Sequence, residues 1–554
     1  MSVQESPAPA PARRSTSLKR EVGLIGLMWA SVGSIIGSGW LFGAQEGLIA
    51  AGPAAMISWI VGGLMMMVLA LIHAELGGMY PVSGGTARFP HYAFGGAAGA
   101  SFGWFSWLQA ATVAPIEVSA MITYAQHYSF AQSWLNPTTK VLTTNGLIVA
   151  VLLMALLTSI NFLGIKKLAA VNSAATWWKI AVPLLVILVL SIGNLNTGNF
   201  SAADGFSPDG FHGILAAIST SGIIFSYLGF EQADQLAGEA KNPKRDIPIA
   251  IIGAMVIGIV IYVALQVAFL LALPDGAIGK TWAAKGDGLY TLFTGPFAEL
   301  ATLLGIGWLA AIVYADAIIS PAGTGLIYTT GSSRVSYGLS RNGYVPTPFE
   351  WVNERGVPWV GLIAAFVTGC ICFLPFPSWQ SLVGLITSAS VLMYAGAPLS
   401  LGAFRRRLPD TERPYRLPMA GFMAPFGFTI SGLIILWSTW ETDWKLGVAI
   451  LIGYAILGIS RVFNLNDKSP HLHWRSASWL PAYLVGMGII TFISSFGPMD
   501  DPILGDYSGI AVTAIFSVVI YYWALQVALP TEEIEEMVNE VVLPEEEGLE
   551  MPAH

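Results

Sequence analysis

Fourteen stretches of this chain are long and apolar enough to cross a bilayer's hydrocarbon core, a distance of roughly 30 Å that takes a helix of about 20 residues. They fall near 22–50, 53–79, 97–128, 145–164, 170–193, 212–238, 247–273, 300–333, 358–375, 379–402, 421–440, 446–463, 479–496 and 508–529. A backbone in lipid must satisfy its own hydrogen bonds, so these are expected to be helices packed into one polytopic bundle and not strands. Composition points the same way: 54% of the 554 residues are hydrophobic and 11% are charged, against roughly 25% charged in a soluble domain. A water-soluble enzyme of this size is excluded.

The basic residues test the count, because cytoplasmic loops carry the excess of Lys and Arg. With the N-terminus inside, cytoplasmic segments hold 21 of the 26 basic residues. The outer loops hold Lys140, Lys280, Lys285 and Lys445, and Lys179 alone lies within a span. An even number of spans brings both termini to the cytoplasm. Residues 1–20, with their Ser-Pro-Ala-Pro run, are expected to be a flexible leader without a signal-peptide cleavage site. The tail, 531–554, holds nine Glu and no Lys or Arg, so the remainder of the net charge of -8 sums to +1 and acidity names no partner. Ile534, Met537, Val538, Val541 and Val542 share a helical face there, and a solvated charge run is expected, with docking of that face as the alternative.

Two spans are interrupted. The first carries Ser31-Val-Gly-Ser-Ile-Ile-Gly-Ser-Gly-Trp40, with Gly33, Gly37 and Gly39 in its middle third; the sixth carries Thr220-Ser-Gly-Ile-Ile-Phe-Ser-Tyr-Leu-Gly-Phe-Glu231. Small residues also serve close helix packing. Matched glycine clusters beside hydroxyls, in corresponding members of two five-helix halves, point instead to unwound segments that bind a ligand. Unwinding frees N–H groups at one half-helix start and C=O groups at another half-helix end, so backbone alone can hold an anion and a cation. A zwitterionic amino acid carries both.

The Gly37-Ser-Gly39 break, Phe225-Ser-Tyr-Leu-Gly-Phe-Glu231, the Gly238-Glu-Ala-Lys-Asn-Pro-Lys-Arg-Asp-Ile-Pro248 loop and Ser332-Ser-Arg334 resemble the amino acid/polyamine/organocation (APC) permease superfamily, in order over roughly residues 20–405. Gly37-Ser-Gly-Trp-Leu-Phe42, Ala216-Ala-Ile-Ser-Thr220, Leu374-Pro-Phe-Pro-Ser-Trp379 and Ser494-Ser-Phe-Gly497 resemble its aspartate/proton symporter branch. The resemblance implies a five-plus-five inverted-repeat core over 21–405, four peripheral helices over 406–530, and transport of an amino acid, such as aspartate, together with protons across the plasma membrane. It assigns Ile35, Gly37, Ser38 and Gly39 to the substrate carboxylate, Phe225 and Leu228 to the amine and closure over the side chain, and Glu231 to gating and proton sensing. No core Arg answers an acidic side chain, so no residue is assigned to it. An amino acid exchanger, a polyamine or cationic amino acid permease, and a receptor on a transporter fold remain alternatives.

Ionisable groups within spans are functional candidates by default. Lys179, near the midplane, cannot easily snorkel to water and must be either paired or periodically neutral; proton coupling and a permanent pair with Asp316 are the two readings. Helix 5 of proton-coupled relatives, by the same resemblance, carries an amine where sodium-coupled cousins bind an ion. Glu231 either titrates or caps the half-helix after the break, and Asp316 either pairs with Lys179 or contacts substrate. Glu117 and Glu46 have weaker cases, Glu75 is expected at the membrane interface, and His471 and His473 at the membrane surface. Cys370 and Cys372 build neither a disulfide framework nor a four-ligand zinc site, the histidines lack metal-ligand spacing, and no HExxH or GxSxG occurs. The expected partners are a small amino acid, protons and lipid. No cofactor, metal or nucleic acid is expected, and the oligomeric state is left open.

Overall fold

The computed structural model describes residues 22–547 except 83, 163–164, 194, 275, 283–293, 377 and 469, and backbone alone for 165–174 and 540–547. The leader, Lys285, Pro377 and the side chains of Val541 and Val542 lie outside the described residues. Within them the chain is helical and contains no strand, only isolated bridges such as Val22 with Ala240.

Each of the expected stretches contains helix. The first is split into α1 (Leu24–Ile35) and α2 (Gly39–Ala51), followed by α3 (Ala55–Met79). A short α4 (Gly85–Phe94) leads into α5 (Gly96–Ala125), α6 (Thr144–Asn161) and α7 (Ile165–Ile192). The sixth stretch is cut into α8 (Gly210–Thr220), α9 (Ile223–Ser226) and α10 (Gln232–Gln235), and α11 (Pro243–Ala272) follows. Then come α12 (Pro296–Leu303), α13 (Gly307–Arg341), α14 (Trp359–Cys372) and α15 (Trp379–Arg407). The last spans are α16 (Ala420–Trp437), α17 (Trp440–Val462), α18 (Trp479–Ile493) and α19 (Asp506–Val527), and the tail forms α20 (Thr531–Glu547).

Nine helical stretches among the described residues meet a membrane span's length and hydropathy, and α1, α8, α14 and α18 are shorter apolar helices. The eighth stretch starts later than expected: Gly305 at φ +76° turns the chain between α12 and α13.

The centre is built where α5 packs on α13, α1 on α11 and α7, and α15 on α5 and α4. The apolar stretch of α15 is wholly buried, whereas that of α17 is 22% buried and turns Leu451, Ile452 and Ile459 outward, as a lipid-facing helix should. The α16–α19 helices lean on the centre chiefly through α15, α3 and α8. We call the end of the bundle that carries the basic loops the basic end.

Three expectations change there. Glu75 is wholly buried, not interfacial. It accepts from Arg405 Nε at 2.8 Å and Nη2 at 2.6 Å and from Leu417 N–H at 2.7 Å, with Arg413 Nε at 3.2 Å. A lone buried carboxylate would be costly, and two guanidinium groups compensate it. His473 lies against the α4–α5 junction and pairs with Glu533 at 3.6 Å, so it is a protein joint, not a membrane-surface group. Burial pushes its imidazole below the ordinary histidine range, helped by His471 and opposed by Glu533. The tail is docked as well: Ile534 is wholly buried, Met537 and Val538 pack on the core, and Thr531 Oγ1 donates to Arg407 O at 3.0 Å. Its apolar face gains burial while its glutamates stay in water.

Candidate functional site

The break in the first span follows from the glycines between Val32 and Trp40. Ile36 adopts an extended conformation (φ -89°, ψ 92°) and its N–H makes the last α1 bond, to Val32 O at 2.9 Å. Carbonyls beyond that point have lost their helical donors and recruit side chains. Lys179 Nζ donates to Gly33 O at 2.5 Å and to Thr324 Oγ1 at 2.6 Å. Tyr262 OH donates to Ile35 O at 2.8 Å. Lys179 is wholly buried, and an ammonium on the carbonyl end of a half-helix sits at the favourable pole of its dipole.

On the other side of the break, the Ser38 N–H donates to Glu117 Oε2 at 2.9 Å. Ser38 Oγ accepts from Trp379 Nε1 at 3.0 Å. Glu117 is wholly buried and its Oε1 has no hydrogen-bond partner. A Cβ on Gly37 would lie 2.7 Å from that oxygen and 2.9 Å from Thr324 Oγ1, so only glycine lets α5 and α13 approach this closely.

The sixth span breaks twice. Gly222 is left-handed (φ +83°) ahead of α9, and Gly229 (φ +122°) precedes α10. A Cβ on Gly229 would lie 2.8 Å from Ile35 N, so the two broken backbones touch. Glu231 Oε2 accepts from Gly229 N–H at 2.9 Å and Tyr394 OH at 2.5 Å, and Oε1 from Tyr328 OH at 3.2 Å. Ser31 stitches the spans together, donating to Phe230 O at 3.0 Å and accepting from Ala233 N–H at 3.2 Å.

Between the breaks lies a small cavity lined by Ile35, Gly37, Gly39, Phe225, Leu228 and Glu117, with Ser34, Val113, Thr324 and Tyr328 completing it. Ser38 is not part of this lining; its N–H is committed to Glu117 and its Oγ to Trp379. Trp379 closes the end opposite the basic one, with its ring 4.7 Å from Phe42 and 6.0 Å, edge-on, from Phe225.

Of the two readings of Asp316, the geometry bears on the pairing with Lys179. It accepts from Trp40 Nε1 at 2.9 Å and Ser320 Oγ at 2.6 Å, and among the described residues no ion pair joins it to Lys179. The permanent Lys179–Asp316 pair is therefore absent, because Asp316 is drawn to α2 while Lys179 faces the end of α1. Glu46 meets Gln380 at 2.8 Å near the surface, away from the cavity. The residues missed by sequence reasoning are Thr324, Tyr262, Tyr328 and Trp379. Only Trp379 lay in a quoted motif, and Thr324 is signalled solely by Gly323 and Gly325 on either side of it.

This geometry, two broken helices around a polar cavity inside a bundle of apolar helices, is the architecture of a membrane permease. The family model described as "Amino acid permease" matches residues 22–452, and the chain belongs to that family, within the APC superfamily. It is similar to the glutamate/serine transporter AimA of Bacillus subtilis (strain 168), 34% identical over 94% of this chain and 96% of that protein. It is similar also to that organism's aspartate-proton symporter, 35% identical over 94% and 98%, and to its branched-chain amino acid permease BcaP, 27% identical over 79% and 92%. Amino acid transport is thus the work of the family, and the chain is a multi-pass membrane protein.

Proposed function

We propose that the protein imports an amino acid with protons by alternating access across the plasma membrane, its basic end and both termini in the cytoplasm. The observation that carries this reading is Lys179, an ammonium buried at the α1 break on two neutral acceptors, Gly33 O and Thr324 Oγ1, with no carboxylate among the described residues in ion-pair distance. Among the described residues Glu117, the anion that interacts with it most, meets it only through space, so loss of the proton breaks no short ion pair. Doing so would release α1 from α7 and α13, so one proton biases two arrangements of the bundle. Glu231, tying the sixth-span break to Tyr394 on α15 and Tyr328 on α13, fits a gating role. The α-carboxylate belongs at Gly37, Ser38 and Gly39 beside Ile35, the α-amine at the α9 end, with Phe225 and Leu228 over the side chain. The glutamate/serine and aspartate-proton relatives support a short polar or acidic side chain.

The test is uptake by proteoliposomes. Uptake should rise as external pH falls and ignore replacement of sodium by choline, and Lys179→Gln should abolish accumulation against a gradient while substrate binding persists. Sodium dependence, or concentrative uptake by K179Q, refutes the proton assignment. The core carboxylates Glu117, Glu231 and Asp316 favour a second reading, a cationic amino acid or polyamine carrier or an exchanger. A competition panel decides: decarboxylated amines competing as well as amino acids would support it, and failure of methyl esters to compete supports the first.

A further inference from the structure

Resting on the amino acid reading, we propose that Glu117 sets the substrate class. An acidic amino acid occupies the cavity only with a proton shared between its side-chain carboxyl and Glu117 Oε1, whereas its neutral amide or hydroxyl counterpart occupies it without one.

The argument begins with an oxygen that has nothing to do. Glu117 Oε2 is committed to the Ser38 N–H, but Oε1 is buried, unbonded and part of the cavity wall. A carboxylate needed only to cap α2 would have no reason to bury its second oxygen without a donor. A buried acceptor left empty is costly, so a ligand that supplies a donor there gains more than one hydrogen bond's usual net worth.

The charges around it decide which ligands can do so. Lys179 faces Glu117 from α7, within electrostatic reach, and is held by Gly33 O and Thr324 Oγ1. From α13 come Tyr328, on the cavity wall, and Asp316, turned away onto Trp40. Tyr262 faces it from α11. Glu231 lies behind Tyr328 in the sixth-span break. On the far side of α5, α14 brings Cys370 and Cys372, with Gly369 against Pro115. The α1–α2 break, α6 and α9 offer Glu117 no titratable side chain. Among the described residues, then, Lys179 is the one cation beside the cavity, and no arginine lines it.

A neutral amino acid adds no net charge to this set, and a serine hydroxyl or an asparagine amide N–H donates directly to Oε1. Aspartate adds a second carboxylate, which has no donor. Two carboxylates confined in low dielectric do not both stay ionised; they hold one proton between them. That proton enters with the substrate from outside, sits between Oε1 and the substrate oxygen, and leaves with the substrate on the other side. Nothing is bonded or broken beyond O–H. The titration belongs to the pair, not to either member.

Binding of matched acids and amides tests this: aspartate against asparagine and glutamate against glutamine, with serine as a third neutral ligand, by calorimetry on the full-length protein in detergent between pH 6 and 8.5. Expected is a loss of acid affinity approaching tenfold per pH unit, the slope of one linked proton, with the amides nearly flat. Lys179 and the other groups act on both members of each pair, so the difference isolates the side-chain proton. In Glu117→Gln the amide N–H replaces the shared proton, and aspartate binding should lose its slope. Equal slopes for acid and amide, acid that fails to bind at any pH while amide binds, or an unchanged aspartate slope in E117Q each overturn the proposal. Should E117Q fail to fold, the wild-type contrast still decides. Binding of no amino acid by the wild type would instead defeat the amino acid reading itself.

Discussion

The two breaks solve the same problem with different means. In the sixth span the freed backbone is satisfied mostly from its own segment: Glu231 takes the Gly229 N–H two residues away, and Ser226 donates to Gly222 O at 2.6 Å. In the first span the side chains that bond the freed backbone come from other helices, Lys179 from α7, Glu117 from α5, Tyr262 from α11 and Thr324 from α13. A break that bonds within itself can travel as a unit. One that borrows its partners from four helices registers any movement among them, and the coupling residues belong there.

The largest test of that contrast strikes where the two breaks touch. Gly229→Ala forces a left-handed φ and drives a Cβ into the first span, which should cost roughly 2–5 kcal/mol and abolish both a cooperative thermal transition in detergent and uptake. A folded, active G229A would mean that the breaks do not depend on this contact. Next is Thr324→Val, isosteric but unable to accept from Lys179. It should cut transport tenfold or more, corresponding to about 1.5–3 kcal/mol for a hydrogen bond to a charge, while expression and melting temperature change little. Tyr262→Phe removes one donor to the α1 carbonyls and should lower stability by about 1 kcal/mol, with a milder loss of uptake. Ser226→Ala, inside the self-bonded break, should have the smallest effect, with uptake within about twofold of wild type, because its partner is its own i-4 carbonyl. Reversal of the order of T324V and S226A in an uptake assay would erase the distinction between borrowed and internal partners.

Lipid made the bundle legible. Apolar runs must be helical there, so each span was visible before any contact was known, and the breaks announced themselves through Gly33, Gly37, Gly39, Gly222 and Gly229. The partners of those breaks were harder to find. Lys179 stood out because charge in a span is rare, but Thr324 and Tyr262 are ordinary residues on ordinary helices, and only their rotation toward α1 gives them work. Asp316 is visible as a charge while its partner is not, since sequence gives its depth but not the face it presents. Glu75 was misplaced because Arg405 and Arg413 lie on a distant stretch of chain. The tail was misjudged because its nine glutamates outweighed Ile534, one side chain whose burial anchors the helix.

The Glu75 clamp also sets an order of manufacture. Arg405 follows Glu75 by 330 residues, so the ribosome completes most of the ten-helix core before the buried carboxylate on α3 can meet its first guanidinium. Until then Glu75 must remain in contact with water or headgroups, and α3 cannot settle to its final depth. The bundle is therefore locked from its last-made core helix backward, and a nascent chain halted before Arg405 should leave Glu75 open to aqueous labelling that the finished protein excludes.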